Sequence, residues 1–114
     1  MSAASPVPTP IDRTLAALAD PHRRQVVELL RERPRRAGEL AEALAVSPSV
    51  MSRHLRVLRE SDVVAESHPE FDARVRIYAL RSGATAELRS WLDAVEQGWA
   101  EQLSALKAHV ERGR

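Results

Sequence analysis

The chain has 114 residues, the usual length of a single domain, and its formal net charge of +1 says little about a partner. It contains no cysteine, which excludes disulfides, thiolate metal sites and cysteine nucleophiles. No apolar run approaches the roughly 18 residues of a transmembrane helix, and the N-terminus lacks the pattern of a secretory signal. We therefore expect a cytoplasmic protein with no membrane partner.

Proline positions divide the first third of the chain. Residues 1–10 hold three prolines among small residues and predict a flexible arm. Apolar residues at helical spacing then predict a short first helix; they are Ile11, Leu15 and Leu18. Asp20 followed by Pro21 is typical of a helix N-cap and first turn, and predicts a second helix that ends before Pro34.

Two further helices are predicted with a tight turn between them. Leucines one turn apart within residues 35–44 predict a short helix of about two turns. Ser47 and Pro48 repeat the cap-and-proline pattern and begin a longer helix over about 48–60. Its inward positions follow the i, i+4, i+7 spacing of Met51, Leu55 and Leu58.

A β-hairpin is predicted after these helices. Residues 63–67 and 74–80 have the composition of strands, and the link 68–73 is polar and contains proline. Asp62, just before the first strand, is expected to be a left-handed helix C-cap. The pattern predicts a winged helix-turn-helix over residues 11–82, in a mainly α chain with a small β-hairpin (α+β).

The last part of the chain, residues 83–114, predicts one long helix over about 85–112. Its apolar residues step by three or four positions; they are Leu88, Trp91, Leu92, Val95, Trp99, Leu103, Leu106 and Val110. Such a helix spans roughly 40 Å, which exceeds the width of the preceding unit. Because its far end cannot bury these residues within one subunit, we predict a two-fold dimer.

The predicted helix 48–60 has a polar face that suits the major groove of double-stranded DNA. That face carries Ser49, Val50, Ser52, Arg53 and Arg56. Arg53 can donate to both O6 and N7 of guanine. Ser47 and Ser49 can bind phosphate at the positive helix start, and Val50 can contact a thymine methyl. Basic residues elsewhere are predicted to contact the DNA backbone or grooves; they are Arg35, Arg36, Arg74 and Arg76.

Three runs of residues carry a family pattern: Leu18 to Arg24, Gly38 to Ala41, and Leu44 to Glu60. The run Ser52-Arg53-His54-Leu55 after a Ser-Pro cap is the most specific part. Over residues 11–82 and the last helix, the chain resembles the ArsR/SmtB family of bacterial transcription repressors. The resemblance implies a homodimer and an imperfect inverted repeat at a promoter, whose occlusion represses transcription.

The same resemblance implies particular residue roles. DNA contacts are implied at Ser49, Ser52, Arg53 and His54. A dimer interface is implied between the first and last helices; its residues are Ile11, Leu15, Leu18, Leu88, Trp91, Leu92, Val95, Trp99, Leu103 and Leu106. No cofactor is implied, because neither of the family's known metal sites is matched.

The chain departs from the family pattern at the hairpin. Asp62 stands where the family usually has glycine, and residues 61–73 hold four acidic residues and no lysine or arginine. An acidic hairpin would repel phosphate, which argues against a large hairpin contribution to DNA binding. The four histidines lie on different predicted elements, so no metal site is predicted; they are His22, His54, His68 and His109.

Several alternatives stay open. His54 is either a DNA contact or a partly buried residue that packs at the turn, and Arg31 to Arg36 either bind phosphate or form a solvated loop. Trp91 and Trp99 either form a dimer core or line a pocket for an unknown small-molecule effector. The alternatives to a repressor are a protein-interaction module and a metal- or small-molecule-responsive sensor. No phosphate loop, nucleophile elbow or ligand cluster indicates an enzyme.

Overall fold

The computed structural model describes residues 7–113, which form five helices and one three-stranded sheet. In chain order the elements are α1 (Pro10–Leu18), α2 (Pro21–Glu32), β1 (Arg35–Arg36), α3 (Ala37–Leu44), α4 (Pro48–Glu60), β2 (Val64–Ser67), β3 (Ile77–Leu80) and α5 (Ala86–Arg112). All five predicted helices are confirmed. Residues 1–6 of the predicted arm lie outside the described residues.

Helix α1 begins within the predicted arm, at Pro10, because Thr9 caps it. The Thr9 backbone N–H donates to the Asp12 carboxylate at 2.7 Å, and the Asp12 N–H donates to the Thr9 hydroxyl at 3.3 Å. This reciprocal pair is a capping box, which satisfies two otherwise unpaired N–H groups at the helix start.

The predicted caps of α2 and α4 are confirmed. The Asp20 carboxylate accepts a hydrogen bond from the His22 N–H at 2.8 Å, and the Ser47 hydroxyl accepts one from the Val50 N–H at 3.2 Å. Asp62 has a φ of 60°, as predicted for a left-handed cap. Each N-cap stabilises its helix by about 1 kcal/mol.

The sheet has one strand more than predicted. It is antiparallel in the order β1-β3-β2, and its added strand pairs Arg35 with Tyr78 and Arg36 with Ile77. The predicted hairpin is confirmed as β2 and β3, whereas Arg35 and Arg36, expected only to precede a helix, form the added strand. Two residues are too few to show the alternation that reveals a strand, and their partner lies about forty residues further on.

The core lies between the helices of the motif and the sheet. Its largest fully buried side chains are Val26, Leu40, Met51, Leu55, Leu58, Val63 and Val64. The three residues predicted to face inward from α4 are among them. Burying one such side chain contributes about 1.5–3 kcal/mol, so this packing fixes the position of α4 relative to the sheet.

Helix α5 leaves its apolar residues exposed in the single chain. It has 27 residues, none of them buried, and it packs against α1. The exposed fractions of its large apolar residues range from 44% to 66%; these residues are Trp91, Leu92, Trp99, Leu103, Leu106 and Val110. No helix among the described residues has the length and apolar content needed to cross a membrane.

Candidate nucleic-acid interface

Helix α4 has one face in the core and one face in solvent. Four residues point inward and are buried; they are Met51, His54, Leu55 and Leu58. The side chains of Ser49, Ser52, Arg53 and Arg56 are exposed, and Val50 is half-buried. The structure therefore leaves every predicted DNA contact of this helix accessible except His54.

The two central arginines of the exposed face are free to bind a ligand. No carboxylate among residues 7–113 lies within 4.0 Å of the guanidinium of Arg53 or Arg56, whereas Arg59 pairs with Glu66 at 2.6 Å. An exposed guanidinium without an internal partner retains its donors for a carboxylate, a phosphate or a guanine edge. On the exposed face of α4, Arg53 and Arg56 are therefore the arginines whose charge no carboxylate of the described residues neutralises.

The start of α4 adds a weaker anion-binding feature. The Ser47 and Ser49 hydroxyls lie 3.2 Å apart, and the Ser47 hydroxyl also caps the helix. The positive end of the helix dipole favours anions at this position. Ser47 is first a capping residue, whereas Ser49 is exposed and does not cap the helix, so its hydroxyl is the better candidate for a DNA backbone contact.

Arg35 and Arg36 differ in accessibility. The Arg35 side chain is only 13% exposed; it pairs with Glu32 at 2.5 Å and donates to the Leu29 carbonyl at 3.2 Å. These contacts tie the end of α2 to β1 and favour a structural role for Arg35. Arg36 is exposed and lines a groove with Arg74 and Arg76.

His54 lies inside the protein, against α2, rather than on the exposed face of α4. It is 9% exposed, its Nδ1 is 3.3 Å from a guanidinium nitrogen of Arg23, and its ring contacts that of His22 edge-on at a centroid distance of 5.6 Å. Arg23 in turn donates to the Ala17 carbonyl at 2.6 Å. The geometry favours the packing interpretation of His54. Its contact with Arg23 links α4 to α2, and Arg23 in turn links α2 to α1.

Three potential metal ligands that are not all close in the sequence come together at His54. Ligand atoms of Asp20, His22 and His54 all lie within 4.8 Å of one another. A guanidinium only donates hydrogen bonds, so His54 Nδ1 accepts the one from Arg23 and Nε2 carries the proton. A metal at Nδ1 would meet the Arg23 cation, and a metal at Nε2 would require the other tautomer. The residues therefore do not fit a metal ion in this arrangement.

The stability of the protein should depend on pH through His54. Burial, aided by the positive charge of Arg23, holds the pKa of His54 below its ordinary value, although the Asp20 carboxylate acts in the opposite direction. The unfolded chain takes up the proton near pH 6.5, whereas the native protein resists it. Stability is therefore complete above pH 6.5 or so and falls as the pH decreases below it.

The corresponding measurement is the melting temperature from pH 8 to pH 5. The wild-type melting temperature should drop more steeply with decreasing pH than that of His54→Gln, whatever the absolute stability of the variant. His109→Gln, on exposed α5, is the matched control and should follow the wild type. Parallel curves for wild type and His54→Gln would contradict the assignment.

The short helix α3, the tight turn, the exposed basic helix α4 and the following hairpin define a winged helix-turn-helix protein. The model of the bacterial regulatory proteins of the arsR family matches residues 20–66. The HTH-type transcriptional regulator Rv2034 of Mycobacterium tuberculosis is 40% identical over 82 residues, covering 72% of this chain and 74% of Rv2034. The chain belongs to the ArsR family of transcriptional regulators.

Other known proteins agree with this assignment. The transcriptional repressor SdpR of Bacillus subtilis is 30% identical over 56 residues, covering 49% of this chain and 62% of SdpR. The solved structure of an ArsR-like transcriptional regulator from Rhodococcus sp. RHA1 has the same fold, with a TM-score of 0.75 at 23% identity over 86% of this chain and 90% of that one. The family and these relatives are DNA-binding regulators and not enzymes.

Proposed function

We propose that the protein is a homodimeric transcriptional repressor that binds an inverted repeat in promoter DNA. The observation that carries the proposal is the solvent-facing side of α4, where Arg53 and Arg56 have no acidic partner among the described residues. Since its target is chromosomal DNA, the protein acts in the cytoplasm. Similarity to the SdpR repressor supports the sign of regulation.

The proposed contacts divide into base and backbone contacts. Arg53 contacts a guanine edge in the major groove, and Val50 and Ser52 lie close enough to the same groove to contribute. Backbone contacts come from exposed groups around this centre and set the position of the helix; they are Ser47, Ser49, Arg56, Arg36 and Arg76. Arg74 is exposed and already bonds Asp72 at 3.3 Å, so we assign it a minor contribution.

The dimer is proposed from the apolar residues of α5 and α1. Large apolar side chains at 44–66% exposure along one helix are atypical of a monomer surface, and Ile11 and Leu18 of α1 are only partly covered. A second copy related by a two-fold axis covers both sets of residues. We accordingly divide the chain into a DNA-binding unit, 11–82, and a dimerisation helix, 83–114. Two recognition helices would then enter half-sites roughly 34 Å apart.

Fluorescence anisotropy with duplex DNA from the region upstream of the gene tests the proposal, with a scrambled duplex as control. We expect a preference of at least about a thousandfold for the upstream duplex, and an affinity that falls steeply between two salt concentrations. Equal and weak binding to both duplexes would contradict sequence-specific regulation. No binding even at low salt would overturn the proposal and favour the protein-interaction alternative.

A further inference from the structure

The position of α4 relative to the helices of the proposed dimer interface depends on α1. Helix α4 packs against α1, α2, α3 and β2, and α5 also packs against α1. Helix α1 is therefore an element that both α4 and α5 contact. A shift of α4 against α1 would change the distance and the angle between the two recognition helices of a dimer.

The side chain of Arg23, on α2, links α1 to α4. Its Nε donates to the Ala17 carbonyl at 2.6 Å, and one terminal nitrogen donates to the Ala16 carbonyl at 3.2 Å. The other terminal nitrogen lies 3.3 Å from Nδ1 of His54. Each of the three guanidinium nitrogens meets a different acceptor, two on α1 and one on α4. Because the guanidinium is planar and rigid, it holds these acceptors in one arrangement.

This link is shielded from water. The side chain of Arg23 is 17% exposed, and the nearest carboxylate oxygen of Asp20 lies 3.9 Å from it. The guanidinium sits at the C-terminal end of α1, where the helix dipole favours a cation. His54 is 9% exposed, so water does not readily replace a hydrogen bond lost at its Nδ1.

The neighbouring Arg24 binds the end of α1 without reaching α4. It donates to the Leu18 carbonyl at 2.8 Å and to the Ala19 carbonyl at 3.0 Å. Both arginines therefore satisfy carbonyl groups at the end of α1. Of the two, Arg23 alone has a hydrogen-bond partner on α4 among residues 7–113. The two side chains thus separate closing the end of α1 from fixing α4 against it.

We propose that Arg23 is a positioning residue that fixes α4 against α1 and thereby makes operator binding selective for the spacing of the two half-sites. The proposal rests on the proposed function, because only a dimer that engages two half-sites can respond to their separation. Arg23 itself does not contact DNA. One added base pair moves the second half-site by about 3.4 Å and turns it by roughly 35°. A rigid dimer then loses its second contact, whereas a loosened dimer follows the shift.

The test measures how operator affinity depends on half-site spacing. Footprinting locates the half-sites in the upstream duplex, and anisotropy titrations use this duplex with one base pair removed or added between them. The wild-type affinity should fall about a hundredfold on either change, because linked binding is lost. For Arg23→Met, affinity at the native spacing should fall roughly tenfold, and the further loss at either altered spacing should be about fivefold or less.

A duplex with a single half-site and the Arg24→Met variant are the controls. On one half-site, the wild type and Arg23→Met should bind equally, since the exposed face of α4 is unchanged. Arg24→Met removes the neighbouring cation and should keep the wild-type dependence on spacing. A general loss of stability would lower the affinity for every duplex by the same factor. The ratio of affinities between spacings therefore reports positioning and not folding.

His54→Leu tests the same link from α4, and it carries the test if Arg23→Met does not fold. The variant removes the acceptor for Arg23 and keeps an apolar side chain at a buried position. It should relax the dependence on spacing to the same degree as Arg23→Met. Combining the two substitutions should produce no further relaxation, because both remove one interaction.

The outcomes separate this proposal from the proposed function. If the wild type distinguishes the three spacings and a folded Arg23→Met or His54→Leu retains its affinity ratios, the positioning role is overturned while the proposed function stands. If the wild type binds all three duplexes equally, or binds no DNA, the inverted-repeat mode of binding is overturned and the positioning role with it.

Discussion

Replacing Arg53 with alanine is expected to remove most of the protein's preference for its own operator. Arg53 is exposed near the middle of α4, and no acidic residue of the described chain pairs with it. A bidentate guanidinium–guanine contact contributes about 1–3 kcal/mol of discrimination, so each half-site should lose roughly that amount. Anisotropy titrations with the upstream and scrambled duplexes measure the change as a ratio of affinities.

Arg56→Ala provides the matched comparison, because Arg56 is another exposed arginine three residues further along the same helix. As a backbone contact it should weaken binding to both duplexes equally and leave their ratio unchanged. If Arg53→Ala behaved in the same way, Arg53 would be a phosphate contact, and the base-contact assignment would be wrong. The melting temperature of Arg53→Ala should equal that of the wild type, since the side chain is not part of the core.

Much of the fold could be predicted because its determinants are local. The caps at Asp20 and Ser47, each followed by proline, mark helix starts within three residues of sequence. The inward residues of α4 follow from helical spacing alone. Strand β1 was not predicted because its two residues are extended only through pairing with Tyr78 and Ile77 across the sheet. No local sequence pattern indicates that pairing.

The candidate site could be predicted only in part, for a related reason. Helical periodicity separates exposed Arg53 from buried Leu55, but it does not show which distant groups meet a side chain. His54 is near the boundary of the two faces, and its contact with Arg23 on another helix decides that it is internal. The hydrogen bonds that Glu66 accepts from Arg59 and Tyr78 likewise depend on how α4 packs against β2 and how β2 pairs with β3.

Charge counting along residues 61–73 does not take ion pairing into account. The sequence has four acidic residues spread over these thirteen positions. If each of them were solvated, the hairpin would present a uniformly negative surface. The structure instead pairs Glu66 with Arg59 and Asp62 with Arg81, both at 2.6 Å. Exposed ion pairs of this kind contribute little to stability, but they change which charges a DNA backbone would meet.

Leu103→Glu is expected to convert the protein from a dimer to a monomer and to reduce operator affinity by several orders of magnitude. Leu103 is 66% exposed in the single chain, so the variant should still fold. In a dimer the same position is covered, and an unpaired carboxylate buried there costs several kcal/mol. Since a monomer engages one half-site instead of two, it loses the gain in affinity from linked binding. Sedimentation equilibrium and anisotropy measure the two effects.

Ser104→Glu introduces the same charge one residue later, where the helical rotation of about 100° places it away from the apolar residues. This control should remain dimeric and should bind the operator nearly as well as the wild type, with a small electrostatic loss. A dimeric Leu103→Glu would show that the interface lies elsewhere on the chain. A monomeric Leu103→Glu with wild-type operator affinity would support the proposed interface. It would contradict a binding mode that needs two linked recognition helices.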